Sequence, residues 1–105
     1  MASTQKTDSL ERTLEVIGDK WTPLIISAVS VEGLSFCKIE RQLEGISPRT
    51  LTQRLEMLQA EEILVKRQYC QHPPRYLYEL TAKGRALDKV IDQMKTWGKA
   101  YQTEN

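Results

Sequence analysis

One histidine, His72, and two cysteines, Cys37 and Cys70, are all that this chain of 105 residues offers to chemistry that needs imidazole or thiol. A Cys-His nucleophile would have to pair Cys70 with His72, two positions apart in an extended segment with no carboxylate nearby to orient the ring. The same three residues would ligate zinc only at unusual spacing, and no glycine-rich phosphate loop is present. The expectation is therefore no enzyme, no metal site and no cofactor. Two cysteines cannot build a disulfide framework, so both are expected as free thiols in a reducing compartment. No apolar run approaches the roughly 18 residues of a membrane span, and Met1 to Thr7 lacks the apolar core of a signal peptide, which points to the cytoplasm and to no membrane partner. Charge of one sign is also missing. Fifteen basic residues against fourteen acidic leave +1, short of the excess expected of a purely electrostatic nucleic-acid binder.

What is present is enough for one modest core. The length allows one domain, expected over residues 8–105 with a disordered tail at 1–7 and fraying from Gln102 onward. Asp8 can cap a first helix, with Glu11 as reciprocal partner and Leu10, Leu14 and Ile17 as its apolar stripe, ended by Gly18. Trp21 precedes a second helix that Thr22 would cap and Pro23 would start, with Leu24, Ile25, Ile26 and Val29 buried and Gly33 closing it. Ser35 can cap a short third helix with Phe36, Ile39 and Leu43 inward and Lys38 and Arg41 outward, before Gly45.

Between Gly45 and Leu55 there is no acidic residue. Ser47 suits an N-cap and Pro48 the first helical position. Leu51, Leu55 and Leu58 then form an inward stripe, leaving Arg49 and Gln53 on the opposite side between Thr50 and Thr52. Arginine can pair bidentately with guanine and glutamine with adenine, so a helix over 47–60 has the side chains for base-edge readout in a major groove. Arg49, Thr50 and Gln53 are the expected base contacts, with Thr52 and Arg54 on phosphate. A solvated amphipathic helix would look similar in isolation.

Two short runs rich in β-branched and aromatic residues follow, Ile63–Tyr69 and Arg75–Leu80, predicting an antiparallel hairpin over about 63–80. Its expected tip, Cys70 to Pro74, is longer than a two-residue turn. From Ile63 to Tyr78 the charged residues are Lys66, Arg67 and Arg75, all cationic. The hairpin thus reads as a wing whose Lys66, Arg67, His72 and Arg75 follow a phosphate backbone or minor groove, with Lys20 adding a phosphate contact; an edge strand guarded by cations is the plainer alternative. The helix-turn-helix itself would occupy about 35–60.

Thr81 can cap a last helix over about 81–101 with Leu87, Val90, Ile91, Met94, Trp97 and Tyr101 at helical spacing. So small a domain has little core left for this stripe, which is expected to pair with Leu10 and Leu14 across a two-fold axis, unless the helix folds back over its own domain. Trp21, Met94 and Trp97 could line a pocket for an unidentified small-molecule effector, although such residues are more often plain core. The fold class is mainly α with a small antiparallel β-hairpin: a winged helix-turn-helix with extra N- and C-terminal dimerisation helices.

The segments Leu14–Thr22 (LEVIGDKWT), Phe36–Arg41 (FCKIER), Gly45–Leu55 (GISPRTLTQRL), Pro73–Thr81 (PPRYLYELT) and Gly84-Arg85 resemble the HxlR-type family of bacterial winged-helix transcriptional regulators, over nearly all of the chain from Leu10 to Tyr101. The resemblance implies a homodimeric regulator, joined through its terminal helices, whose partners are double-stranded DNA with two related half-sites and a second copy of itself. It also marks a departure. Many members carry a cysteine just before the first helix that in some senses oxidants or electrophiles, and here Asp8-Ser9 stands in that place. Cys37 is expected to be a buried filler. Cys70, exposed on a basic wing, is the candidate redox thiol, against the alternative of an ordinary surface thiol. The reading from a different functional class is a winged helix that binds a protein, or DNA without sequence preference.

Overall fold

The structure, a computed structural model, describes residues 8–102. Five helices and one hairpin follow in order: α1 (Ser9–Ile17), α2 (Trp21–Val29), α3 (Phe36–Gln42), α4 (Pro48–Ala60), β1 (Leu64–Gln71), β2 (Pro74–Leu80) and α5 (Ala82–Ala100). This is the winged helix-turn-helix order. The tail expected at 1–7 lies outside the described residues.

Local capping chemistry sets most boundaries. Asp8 accepts from the Glu11 amide while the Glu11 carboxylate accepts from the Asp8 amide, a reciprocal box at the start of α1. Ser35, Ser47 and Thr81 each accept the amide three residues on, starting α3, α4 and α5. The second helix departs from expectation. Asp19, not Thr22, satisfies its first amides, accepting from the backbone of Trp21 and Thr22 and from the Thr22 hydroxyl at 2.6 Å. The helix therefore begins a residue before the expected cap, and Thr22 is fully buried inside it. It also ends at Val29, well before Gly33. Gly33 instead lets the chain pass close to Glu79, and Leu34 then exchanges two backbone hydrogen bonds with Tyr78, adding a one-residue third strand to the hairpin.

The hairpin keeps the predicted span but has a tighter turn. Cys70 pairs with Arg75 and Gln71 with Pro74, so only His72 and Pro73 form the turn, across a cis peptide. The expected tip is mostly strand because the register slips between Gln68 and Cys70, a bulge that absorbs one extra residue.

The core gathers Ile25 and Ile26 of α2, Ile39 of α3, Leu51, Leu55 and Leu58 of α4, and Ile63 before β1. The last helix closes over this core. Ile91, expected at a dimer interface, is 3% exposed and belongs to the domain's own interior, while Leu87 is half-buried against the same cluster. A position one residue off, Val90, faces outward because each helical step turns the side chain by about 100°.

Gly84 fixes how closely α5 approaches the hairpin. A Cβ there would stand 2.3 Å from the Ile63 carbonyl oxygen and 3.0 Å from the Leu80 side chain. In an exposed helix, Gly84→Ala would stabilise by about 1 kcal/mol. Here the obstructing atom is backbone and cannot rotate aside, so the sign reverses. Gly84→Ala is expected to destabilise by roughly 1–3 kcal/mol, lowering the melting temperature by about 4–8 °C per kcal/mol in a thermal denaturation followed by circular dichroism.

Candidate nucleic-acid interface

The orientation of α4 follows from its leucines. Leu51, Leu55 and Leu58 are at most 1% exposed, which anchors one side of the helix and turns Arg49, Thr52 and Gln53 to the surface. Arg49 and Gln53 sit one turn apart, and neither forms an ion pair or side-chain hydrogen bond within the described residues. Ser47 starts the helix, its hydroxyl accepting from the Thr50 amide at 3.1 Å and donating to the Thr50 hydroxyl at 3.0 Å. Thr50 is consequently half-buried and partly committed to the cap.

Arg54 is turned away from the surface expected for it. Its Nε lies 3.3 Å from Asp19 Oδ1, in an ion pair that ties α4 to the corner between α1 and α2. Burial alone would push the Asp19 carboxyl up, but hydrogen bonds from the Thr22 hydroxyl and from the Thr22 and Trp21 amides, with the Arg54 charge, hold it below the usual carboxylate value. A depressed carboxylate contributes stability above its unfolded pKa, near 3.9, and loses it as pH falls through the folded value. Stability should therefore drop as the pH is taken below about 4, and Asp19→Asn should flatten that drop while lowering stability at pH 7. Parallel urea titrations at pH 7 and pH 3 check both signs.

The hairpin separates its cations by face. Lys66 lies over the rings of Tyr76, at 4.6 Å, and Tyr78, at 5.9 Å, on the side toward α3 and α4. Arg67, next in the strand, points the other way and is held by Glu79 through two hydrogen bonds of 2.9 and 2.7 Å. The expected free charge on Arg67 is thus corrected: Glu79 lies one residue beyond the all-cationic stretch, and the antiparallel register carries it back beside Arg67. His72 is exposed in the turn and Arg75 beside it. Lys20 is exposed at the α1–α2 corner, its ammonium 4.6 Å above the Trp21 ring.

The two thiols exchange their expected surroundings. Cys37, expected in the core, is exposed on α3, whereas Cys70 is half-buried in β1.

Leu10 and Leu14 of α1 and Val90, Met94, Trp97 and Tyr101 of α5 or its end leave large apolar side chains in solvent. Trp97 is 68% exposed and stacks at 5.3 Å on Tyr101. Between the two helices runs an open groove of about 350 Å³ lined by Val16, Ile63, Leu87 and Val90 together with the charged Arg12, Glu61 and Lys83. Neither Trp21, Met94 nor Trp97 lines it, so the pocket expected around those three residues is not the one the fold forms here.

No helix among the described residues is long and apolar enough to cross a membrane. The family model described as HxlR-like helix-turn-helix matches residues 16–105. The chain is 34% identical over 91 residues to the regulatory protein MalR of Fusobacterium mortiferum, covering 86% of each. It is 36% identical over 90 residues to the HTH-type transcriptional regulator YtcD of Bacillus subtilis, covering 86% of this chain and 71% of that one. Among solved structures, the redox regulator HypR in its reduced form superposes with a TM-score of 0.84 at 35% identity, over 89% of this chain and 92% of that one.

Proposed function

Because the chain belongs to the HxlR-like helix-turn-helix family and is a DNA-binding transcriptional regulator, we propose that it works in the cytoplasm as a homodimer on an operator with two related half-sites. Each protomer sets α4 into a major groove, where Arg49 and Gln53 meet base edges and Thr50 assists, with Thr52 on phosphate. The observation that carries this reading is the exposed, unpaired Arg49–Gln53 face on a helix whose opposite side is locked by three buried leucines. Lys66, His72, Arg75 and Lys20 supply backbone or minor-groove contacts around it; Arg67 and Arg54, paired with carboxylates, are structural.

The second copy would cover Leu10, Leu14, Val90, Met94, Trp97 and Tyr101, six large apolar side chains left exposed on α1 and α5. The two-fold axis then spaces the two α4 helices by about one turn of DNA or a multiple of it. HypR is described as a redox regulator. No thiol stands at the start of α1, where this chain has Asp8-Ser9.

Selection from a random duplex library at moderate salt tests the proposal. Enrichment of an inverted repeat with regular half-site spacing is the expected result. A folded protein that enriches no motif would sink base readout by α4 and move the reading to a protein-interaction module.

A further inference from the structure

Lys38 and Arg41 stand on the exposed side of α3, and neither has a carboxylate within ion-pair distance among the described residues. Across from them are Lys66 and Arg75 of the hairpin, likewise unpaired. The four line one cleft of about 570 Å³, and no acidic side chain contributes to its walls. This is unusual in a chain whose acids and bases nearly balance. Elsewhere among the described residues Arg12, Arg54, Arg67 and Lys95 are matched by carboxylates while Lys20, Arg49, Lys83, Arg85, Lys89 and Lys99 are not, so what sets these four apart is their convergence on one acid-free cleft.

The cleft is also built to hold a shape. Strand alternation would put Tyr69 on the same face as Arg67, yet Tyr69 lines the cleft beside Tyr76, because the bulge between Gln68 and Cys70 re-aims it. Three tyrosines, Tyr69, Tyr76 and Tyr78, and four cations thus line the cleft from α3 and the wing. Hydroxyl and cationic donors without a competing acceptor suit a phosphodiester group, which needs charge and hydrogen bonds from more than one side.

We infer that this cleft grips the DNA backbone flanking the sequence read by α4, with Lys38 and Arg41 closing on a phosphate from one side and Lys66 and Arg75 from the other. The inference rests on the α4 reading, which supplies the duplex and its orientation. It adds α3 to the contact surface and makes part of the affinity independent of base sequence. Each phosphate neutralised steepens the fall of log affinity against log salt by roughly 0.9.

The test measures binding of the wild type, of a Lys38→Ala, Arg41→Ala double variant and of Arg49→Ala to the selected operator and to a scrambled duplex, across a range of salt. Both α3 residues are exposed, and a thermal melt confirms that the double variant folds. One phosphate lost per protomer, two per dimer, should make its salt slope shallower by about 1.8 and weaken both duplexes by the same factor. An unchanged slope and affinity, with Arg49→Ala still weakening the operator selectively, would overturn the cleft and leave the α4 reading intact. If Arg49→Ala also had no effect, the α4 reading and this inference would fall together.

Discussion

Arg49→Ala should weaken binding to the operator by about 1–3 kcal/mol in each half-site, which is roughly tenfold for every 1.4 kcal/mol, and should relax the base preference at one position of the half-site. The loss is large because a bidentate arginine–guanine pair both satisfies two acceptors on the base and discriminates against the other three bases. It should leave folding untouched. Arg49 is exposed, caps nothing and holds no partner among the described residues, whereas its helix is anchored by Leu51, Leu55 and Leu58. Binding to scrambled DNA should change far less, by the loss of one cation. Titrations of the variant on single-base-substituted operators read the effect directly; an unaltered preference at every position would remove Arg49 from base recognition.

Trp97→Glu should produce the other large effect, by separating the protomers. Trp97 is 68% exposed in the single chain, so the substitution leaves the domain core intact. In the proposed dimer it removes an aromatic anchor of the kind that commonly contributes more than about 2 kcal/mol, twice over by symmetry, and places carboxylates in an apolar interface. Sedimentation velocity should show a species of one chain, 12.1 kDa, where the wild type sediments as two. Operator affinity should fall by about 10²- to 10⁴-fold, since the second half-site no longer gains from being tethered to the first. A variant that still sediments as a dimer would show that this face is not the interface.

Much of α4, the helix proposed to read DNA, is legible in the sequence, and for a local reason. Ser47, Pro48 and the leucines at 51, 55 and 58 act within one helix: a cap reaches three residues on and an apolar stripe repeats every turn. The same holds for the Asp8–Glu11 box and for Thr81. The second helix was harder. Asp19 and Thr22 are both good caps, and which of them is used depends on where Lys20 and Trp21 enter helical geometry, something settled by packing around the buried Thr22. Ile91 and Val90 belong to one apolar stripe, so spacing alone assigns both to an interface. The angle at which α5 lies on the core decides between neighbours, and that angle is held by Gly84 against Ile63.

Composition, capping residues and apolar spacing by themselves determined the order of helices and hairpin, the start of α4 and the absence of acid from the first half of its outer face, because each is an interaction between residues a few positions apart. Only the tertiary structure decided which cations remain free. Arg67 is matched with Glu79 through strand register, Arg54 with Asp19 through the packing of α4 on the α1–α2 corner, and Lys38, Arg41, Lys66 and Arg75 are left facing one another across a cleft. Coulomb attraction acts through space over a few ångströms. Residues far apart in the chain therefore become partners, or fail to, only once the elements that carry them have taken their places.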